Sequence, residues 1–146
     1  MSARDRYHEE FRTALESEGW TVTDDPFHVG IGSTNVQIDI RAQRLVIAEK
    51  ETQRVAIEIK TFRHPSLITD LYDAVGQYIY YRFILNERNV GRTLFLAMPQ
   101  KTYKRLEEEP ILRIFKVENI HLVIYDEKTE TIIQWTGRTK SRFHNA

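Results

Sequence analysis

At 146 residues, 41% hydrophobic and 29% charged, the chain is long enough for one domain with a sizeable core and short for two. Its 21 Lys and Arg balance 21 Asp and Glu, and zero net charge argues against non-specific coating of nucleic acid while permitting a local basic patch. With no cysteine, no apolar run near the ~18 residues of a membrane span and no signal-peptide core after Met1, a soluble cytoplasmic domain without disulfides or thiolate zinc is expected.

Ser2 and Asp5 have the spacing of a capping box, with Asp in place of the usual Glu, and Tyr7, Phe11, Ala14 and Leu15 then share one helical face. Gly19 is a natural stop, so a helix over 3–18 is predicted. Glu10 sits at the margin of its apolar face, where it can point along a sheet surface, and Glu9 points further out. Trp20 to Thr23 is expected to be extended, Asp24-Asp25-Pro26 a turn, and Phe27 to Gly32 a short irregular strand weakened by Gly30 and Gly32. Strand 35–40 carries Asp39 on its polar face. A tight connection at 41–43 leads to strand 44–49, and the polar turn Lys50 to Gln53 leads to strand 54–61. Short turns between consecutive strands predict an antiparallel meander.

Strand 54–61 alternates strictly. Val55, Ile57 and Ile59 fall on one face, and Ala56, Glu58 and Lys60 on the other.

Ser66 caps the longest predicted helix, 66–87, whose Asp70 and Asp73 suit its positive end. Leu67, Leu71, Val75, Tyr78 and Leu85 occupy much of its circumference, so substantial burial is expected. Gly76 costs about 1 kcal/mol relative to Ala there, which close packing against the sheet would explain. Gln77 is the one long neutral polar side chain at the helix centre. Tyr72, Tyr78, Tyr80, Tyr81 and Phe83 cannot all face one sheet, which predicts exposed aromatics of the kind found in interface cores. Thr93 to Met98 has the continuous apolar pattern of a strand buried on both faces, and a strand beyond a long helix should rejoin the sheet in parallel. Helices over 100–108 and 110–117 follow, then strands 120–125 and 131–135. His121 is expected to be structural. Residues 137–146, with Arg138, Lys140 and Arg142 and no acid, form a basic tail expected to be disordered and to add DNA affinity. The whole is an α/β domain over 1–136: a central mixed sheet, antiparallel meander plus parallel strand, flanked by helices on both faces.

A helix with an acid, a strand with Asp and a strand with Glu-x-Lys, in that order, resembles the PD-(D/E)xK nuclease superfamily. The resemblance implies a restriction-endonuclease-like fold and a site of Asp39, Glu58 and Lys60. Glu10 stands for the first-helix acid, and Gln77 for the glutamine that resolvase-like members hold near the site. Asp39, Glu58 and Ile59 would contact Mg²⁺ or Mn²⁺, and Lys60 would steady the attacking water or the phosphate charge. Spacing argues the other way. With tight turns, Leu45 falls opposite Glu58 and Asp39 opposite Leu45, leaving the two carboxylate backbones roughly 10 Å apart unless a bulge closes the gap. Glu49 is the other candidate acid, but the same register puts it beside Arg54, at the wrong end of the strand.

Several stretches are similar to the XisH-type fdxN-element excision controlling factors of cyanobacteria. They include the Arg6-Tyr7-His8-Glu9-Glu10-Phe11 helix, Gly19-Trp20-Thr21-Val22, Ile38-Asp39-Ile40, Val55 to Phe62, Ala74-Val75-Gly76-Gln77-Tyr78 and Ile133-Gln134-Trp135. The resemblance spans about residues 2–136. It implies a role in timed DNA excision with a site-specific recombinase and a small XisI-type protein partner. Three readings stand at this point. The chain is a metal-dependent endonuclease, a non-catalytic factor binding DNA or a recombinase through the same fold, or an effector masked by its partner.

Overall fold

The computed structural model describes residues 3–28, 44–62, 65–87, 91–108 and 110–137. Strand β3 (Gln53–Ile59) runs through the middle of a six-stranded sheet. Its neighbours are β2 (Arg44–Lys50), antiparallel, and β4 (Thr93–Pro99), parallel. Strict alternation gives β3 two apolar faces, and each builds a separate core. Val55 and Ile57 join Phe11, Leu15 and Trp20 on the side of α1 (Ala3–Ser17). Ala56, with Ile47 and Leu96, packs under Leu71, Tyr78 and Tyr81 of α2 (Leu67–Glu87).

The sheet order follows the chain. Among the described residues β1 (Thr21–His28) forms one edge, and β5 (His121–Asp126) and β6 (Thr131–Trp135) complete the other side. The crossover through α2 makes β3 and β4 parallel, as expected, and β5 adds a second parallel pairing. Short α3 (Gln100–Glu107), a 3₁₀ turn over Pro110–Leu112 and α4 (Arg113–Val117) extend the α2 layer, burying Leu106 and Phe115. Glu18 ties the ends of the fold together: its Oε1 accepts the indole N–H of Trp20 at 3.3 Å and of Trp135 at 2.9 Å.

Three expectations change. The predicted turn at Asp24-Asp25-Pro26 is absorbed into β1 as register shifts between Val22 and Asp24 and between Asp24 and Phe27. An edge strand tolerates Pro26 because one side of its ladder needs no partner. β1 is also the strand beside β2, where 35–40 was expected, with Phe27 against Leu45 and Thr21 against Glu49. Strand 35–40 and Asp39, like tail residues 138–146, lie outside the described residues. Third, Gly76 does not pack on the sheet. It is exposed, and a Cβ there would meet nothing within 4 Å.

Ser66 does cap α2, accepting the Thr69 backbone N–H at 3.3 Å. The β2–β3 turn holds exposed Glu51 at φ 58°, a left-handed conformation that L side chains adopt at a cost. Glu51→Gly is expected to raise stability by about 0.5–1 kcal/mol, the relief of strain exceeding glycine's entropy cost. Urea melts check this, and a lower midpoint at unchanged m-value would contradict it.

Candidate functional site

The C-terminal ends of parallel β3, β4 and β5 share one edge of the sheet, the side on which α/β sheets commonly bind ligands. β3 reaches that edge with Glu58, Ile59 and Lys60. Pleating turns Glu58 to the same face as Ala56, into the core beneath α2. Its residue exposure is only 6%, and Oε2 has no hydrogen-bond partner among the described residues. Burial pushes the carboxyl up to about 8, with the Lys60 charge pulling it partly back.

Tyr78 of α2 lies within the electrostatic reach of Glu58. It is fully buried, its hydroxyl donating to the Leu94 carbonyl at 2.7 Å and accepting the His121 backbone N–H at 3.1 Å. Burial raises the phenol to about 12; the His121 hydrogen bond and the Arg82 charge oppose this, and Glu58 adds to it. Tyr78 thereby pins α2 to the first residues of β4 and β5. Gln77, the preceding residue, is half-buried.

Lys60 is held at the rim. Its backbone N–H donates to the Ala97 carbonyl at 2.9 Å, carrying the β3–β4 ladder one residue past the strand. Half-buried Ile59 lies beside Ala97, on the face opposite Glu58. Two residues on, Phe62 is buried at φ 55°. A left-handed aromatic stores about 1–3 kcal/mol of strain, an investment that clusters at functional sites. Here it turns the chain off the sheet directly after Lys60.

Glu10 belongs to the other face. On α1 its side chain is 17% exposed, with Oε1 4.0 Å from Arg6. Burial raises its pKa, as do Glu130 and Glu127, while Arg6 and Lys101 lower it. Beside it the Tyr125 hydroxyl is buried without a partner among the described residues. Glu10 therefore stands past the ends of β4 and β5, with the sheet between it and the Glu58 face. Glu49 pairs with Arg92 at 3.0 Å and Arg54 at 3.7 Å. Its register partner is Arg54, as expected, which sets it roughly 13 Å along the sheet from Glu58 at ~3.3 Å per residue.

One buried acid was not expected from the sequence. Asp70, in the first turn of α2, is 1% exposed, although it was assigned only a helix-end role. The signal was its helical register: Asp70 shares a face with Ala74 and Tyr81, which are buried with it. Among the described residues no group of three or more His, Cys, Asp or Glu is placed to hold a metal.

The sequence model of the XisH family, described as XisH protein, matches residues 1–133. A crystal structure of an XisH family protein from Nostoc punctiforme superposes with a TM-score of 0.80 at 33% identity, covering 91% of this chain and 100% of that one. An fdxN element excision controlling factor protein from Anabaena variabilis gives 0.79 at 35% identity, covering 90% and 98%. No curated protein matches the chain. The chain belongs to the XisH family.

Glu58 makes stability depend on pH. Its folded-state value near 8 lies above the ordinary 4.5, so between those limits the folded state binds the extra proton. Stability is then greatest below about 4.5 and falls as pH rises towards 8, by up to a few kcal/mol from this group. Glu58→Gln is expected to flatten that slope and to stabilise the metal-free protein near pH 8. Denaturant melts across the range check this, and an identical slope in wild type and variant would contradict it.

Proposed function

We propose that this XisH-family chain is a restriction-endonuclease-like factor in the excision of a DNA element, cutting DNA with Mg²⁺ or Mn²⁺ at a site built on Glu58 and Lys60. The observation that carries the reading is the Glu58 carboxyl, buried in a central strand with one oxygen unpartnered among the described residues. In a purely structural role such a group is a net cost, whereas a divalent cation would satisfy the oxygen and favour the ionised form. Oxygen donors suit Mg²⁺ and Mn²⁺. Glu58 fits that ion, and Asp39 is the acid proposed to complete the set together with Ile59. When bound, the ion would acidify a water and take up charge developing on the phosphate.

The chain's own residues supply the rest. Glu58 holds its carboxylate in a dry, low-dielectric position, where each charge interaction is stronger than in water. Lys60, fixed at the rim by the ladder bond to Ala97, offers an ammonium to the scissile phosphate or orients the attacking water. Gln77 is proposed to position substrate from α2, and Glu10 to approach from the opposite face at the same edge. Taking part in excision follows the name of the Anabaena variabilis relative. DNA, a XisI-type small protein and a site-specific recombinase are its proposed partners. Among the described residues no helix is long and apolar enough to cross a membrane.

A plasmid-nicking assay with Mg²⁺ and Mn²⁺ tests the proposal, run with and without the XisI-type partner. Wild type should cut, and Glu58→Ala and Lys60→Ala should each lose at least about 10²-fold in rate. Ion at tenfold its Kd should stabilise wild type by about 1.4 kcal/mol and leave Glu58→Ala unchanged. No cleavage under either condition, together with no metal-induced stabilisation, would leave the fold as a non-catalytic binding platform.

A further inference from the structure

Helix α2 carries a second apolar face that its own core does not use. Ile68, Tyr72, Ile79 and Phe83 are 45%, 70%, 40% and 58% exposed. At about 100° per residue they fall, with half-buried Val75, within an arc of roughly 80°. Leu71, Ala74, Tyr78 and Tyr81 are buried on the neighbouring side, centred about 120° round the helix. No charged residue lies within the stripe.

The stripe is a palindrome. Ile68 and Phe83 are equally distant from the midpoint between Val75 and Gly76, and so are Tyr72 and Ile79. Gly76 sits at that midpoint, exposed, with open space where a Cβ would be. A glycine inside a helix costs about 1 kcal/mol relative to Ala, and no contact among the described residues accounts for this one. Close approach of a second backbone at a helix crossing does account for it.

We infer that this face receives a second copy of the chain, through antiparallel packing of two α2 helices about a two-fold axis at Val75–Gly76. Such an axis makes the surface self-complementary, each Ile68 meeting Phe83 of the partner subunit and each Tyr72 meeting Ile79 of the partner subunit. A face built for an unrelated protein has no reason to be symmetric about its own centre. Zero net charge leaves two copies without overall repulsion. Taking ~200 Å² for a large side chain, the exposed fractions amount to roughly 400 Å² per copy. Exposed Asn86 within the arc and Thr69 at its border bring the pair towards the ~1,200 Å² lower bound of specific interfaces, which fits a reversible dimer. The inference is independent of the chemistry proposed at Glu58.

The chain contains no cysteine, so single cysteines report the geometry without background. In the two-fold arrangement position 75 packs beside Gly76 of the partner subunit, and its own two copies are offset by only about 1.5 Å along the helices. The two copies of position 68 stand about 22 Å apart at ~1.5 Å per residue, beyond the ~7 Å limit for a disulfide. Val75→Cys should therefore cross-link under mild oxidation at least about tenfold faster than Ile68→Cys. Sedimentation equilibrium of the unmodified full chain should show reversible dimerisation. Tyr72→Glu combined with Phe83→Glu should abolish it with the circular dichroism spectrum unchanged. A chain that stays monomeric at about 100 μM, a concentration that populates even weak dimers, would overturn the inference. Equal cross-linking at positions 68 and 75 would overturn it too, as would a XisI-type partner that binds the stripe while the chain alone is monomeric.

Discussion

The structure turns on the burial of Glu58 in a strand that has neighbours on both sides. β2 and β4 together occupy β3's backbone hydrogen-bonding edges, so its residues cannot rotate away from the faces that pleating assigns them. Putting Val55 and Ile57 into the α1 core commits Ala56 and Glu58 to the α2 core. Slipping the register by one residue would put Glu58 into the α1 core and exchange the side chains of two cores packed for the present set. The fold thus holds an ionisable group where water cannot relieve it, and Tyr78 ties α2 down on the same face by bonding the backbones of β4 and β5.

That constraint also separates the polar groups of the sheet edge. Glu58 and Lys60 serve the α2 face, while Glu10, Lys101, Glu127 and Tyr125 interact on the α1 face beyond β4 and β5. A substrate with extended phosphates could touch both sets across the rim, whereas a compact ligand would use one. The wide, two-sided edge is consistent with the proposed DNA substrate. Glu49, held by Arg54 and Arg92 at the far end of β3, has a structural use of its own.

Elements whose signals are local were legible in the sequence. The apolar period of α1, the Ser66 cap of α2 and the strict alternation around Glu58 each depend on residues a few positions apart. The Glu49–Arg54 register followed from the tight turn between β2 and β3. What was not legible depends on partners distant in sequence. Nothing near Pro26 says that its strand will lie at an edge, where bulges replace a turn, or that β1 will take the side of β2 expected for 35–40. The burial of Asp70 was legible in principle, since it shares a helical face with Ala74 and Tyr81, but an acid near a helix start also has a sufficient local explanation. Exposed aromatics on α2 were rightly expected. Which of them remain outside depended on where the sheet meets the helix: Tyr78 and Tyr81 went into the core, and Tyr72 and Phe83 stayed out.

The central claim is that Glu58 is a carboxyl kept protonated by burial until a cation reaches it. Carbon-13 NMR titration of the glutamate side-chain carboxyls tests it most directly, with the signal assigned by its loss in Glu58→Gln. The account predicts one carboxyl titrating near pH 8 in metal-free protein, moving below the ordinary glutamate range when Mg²⁺ is added. If every glutamate titrates in its ordinary range and Mg²⁺ moves none of them, Glu58 is neither buried as described nor a cation ligand.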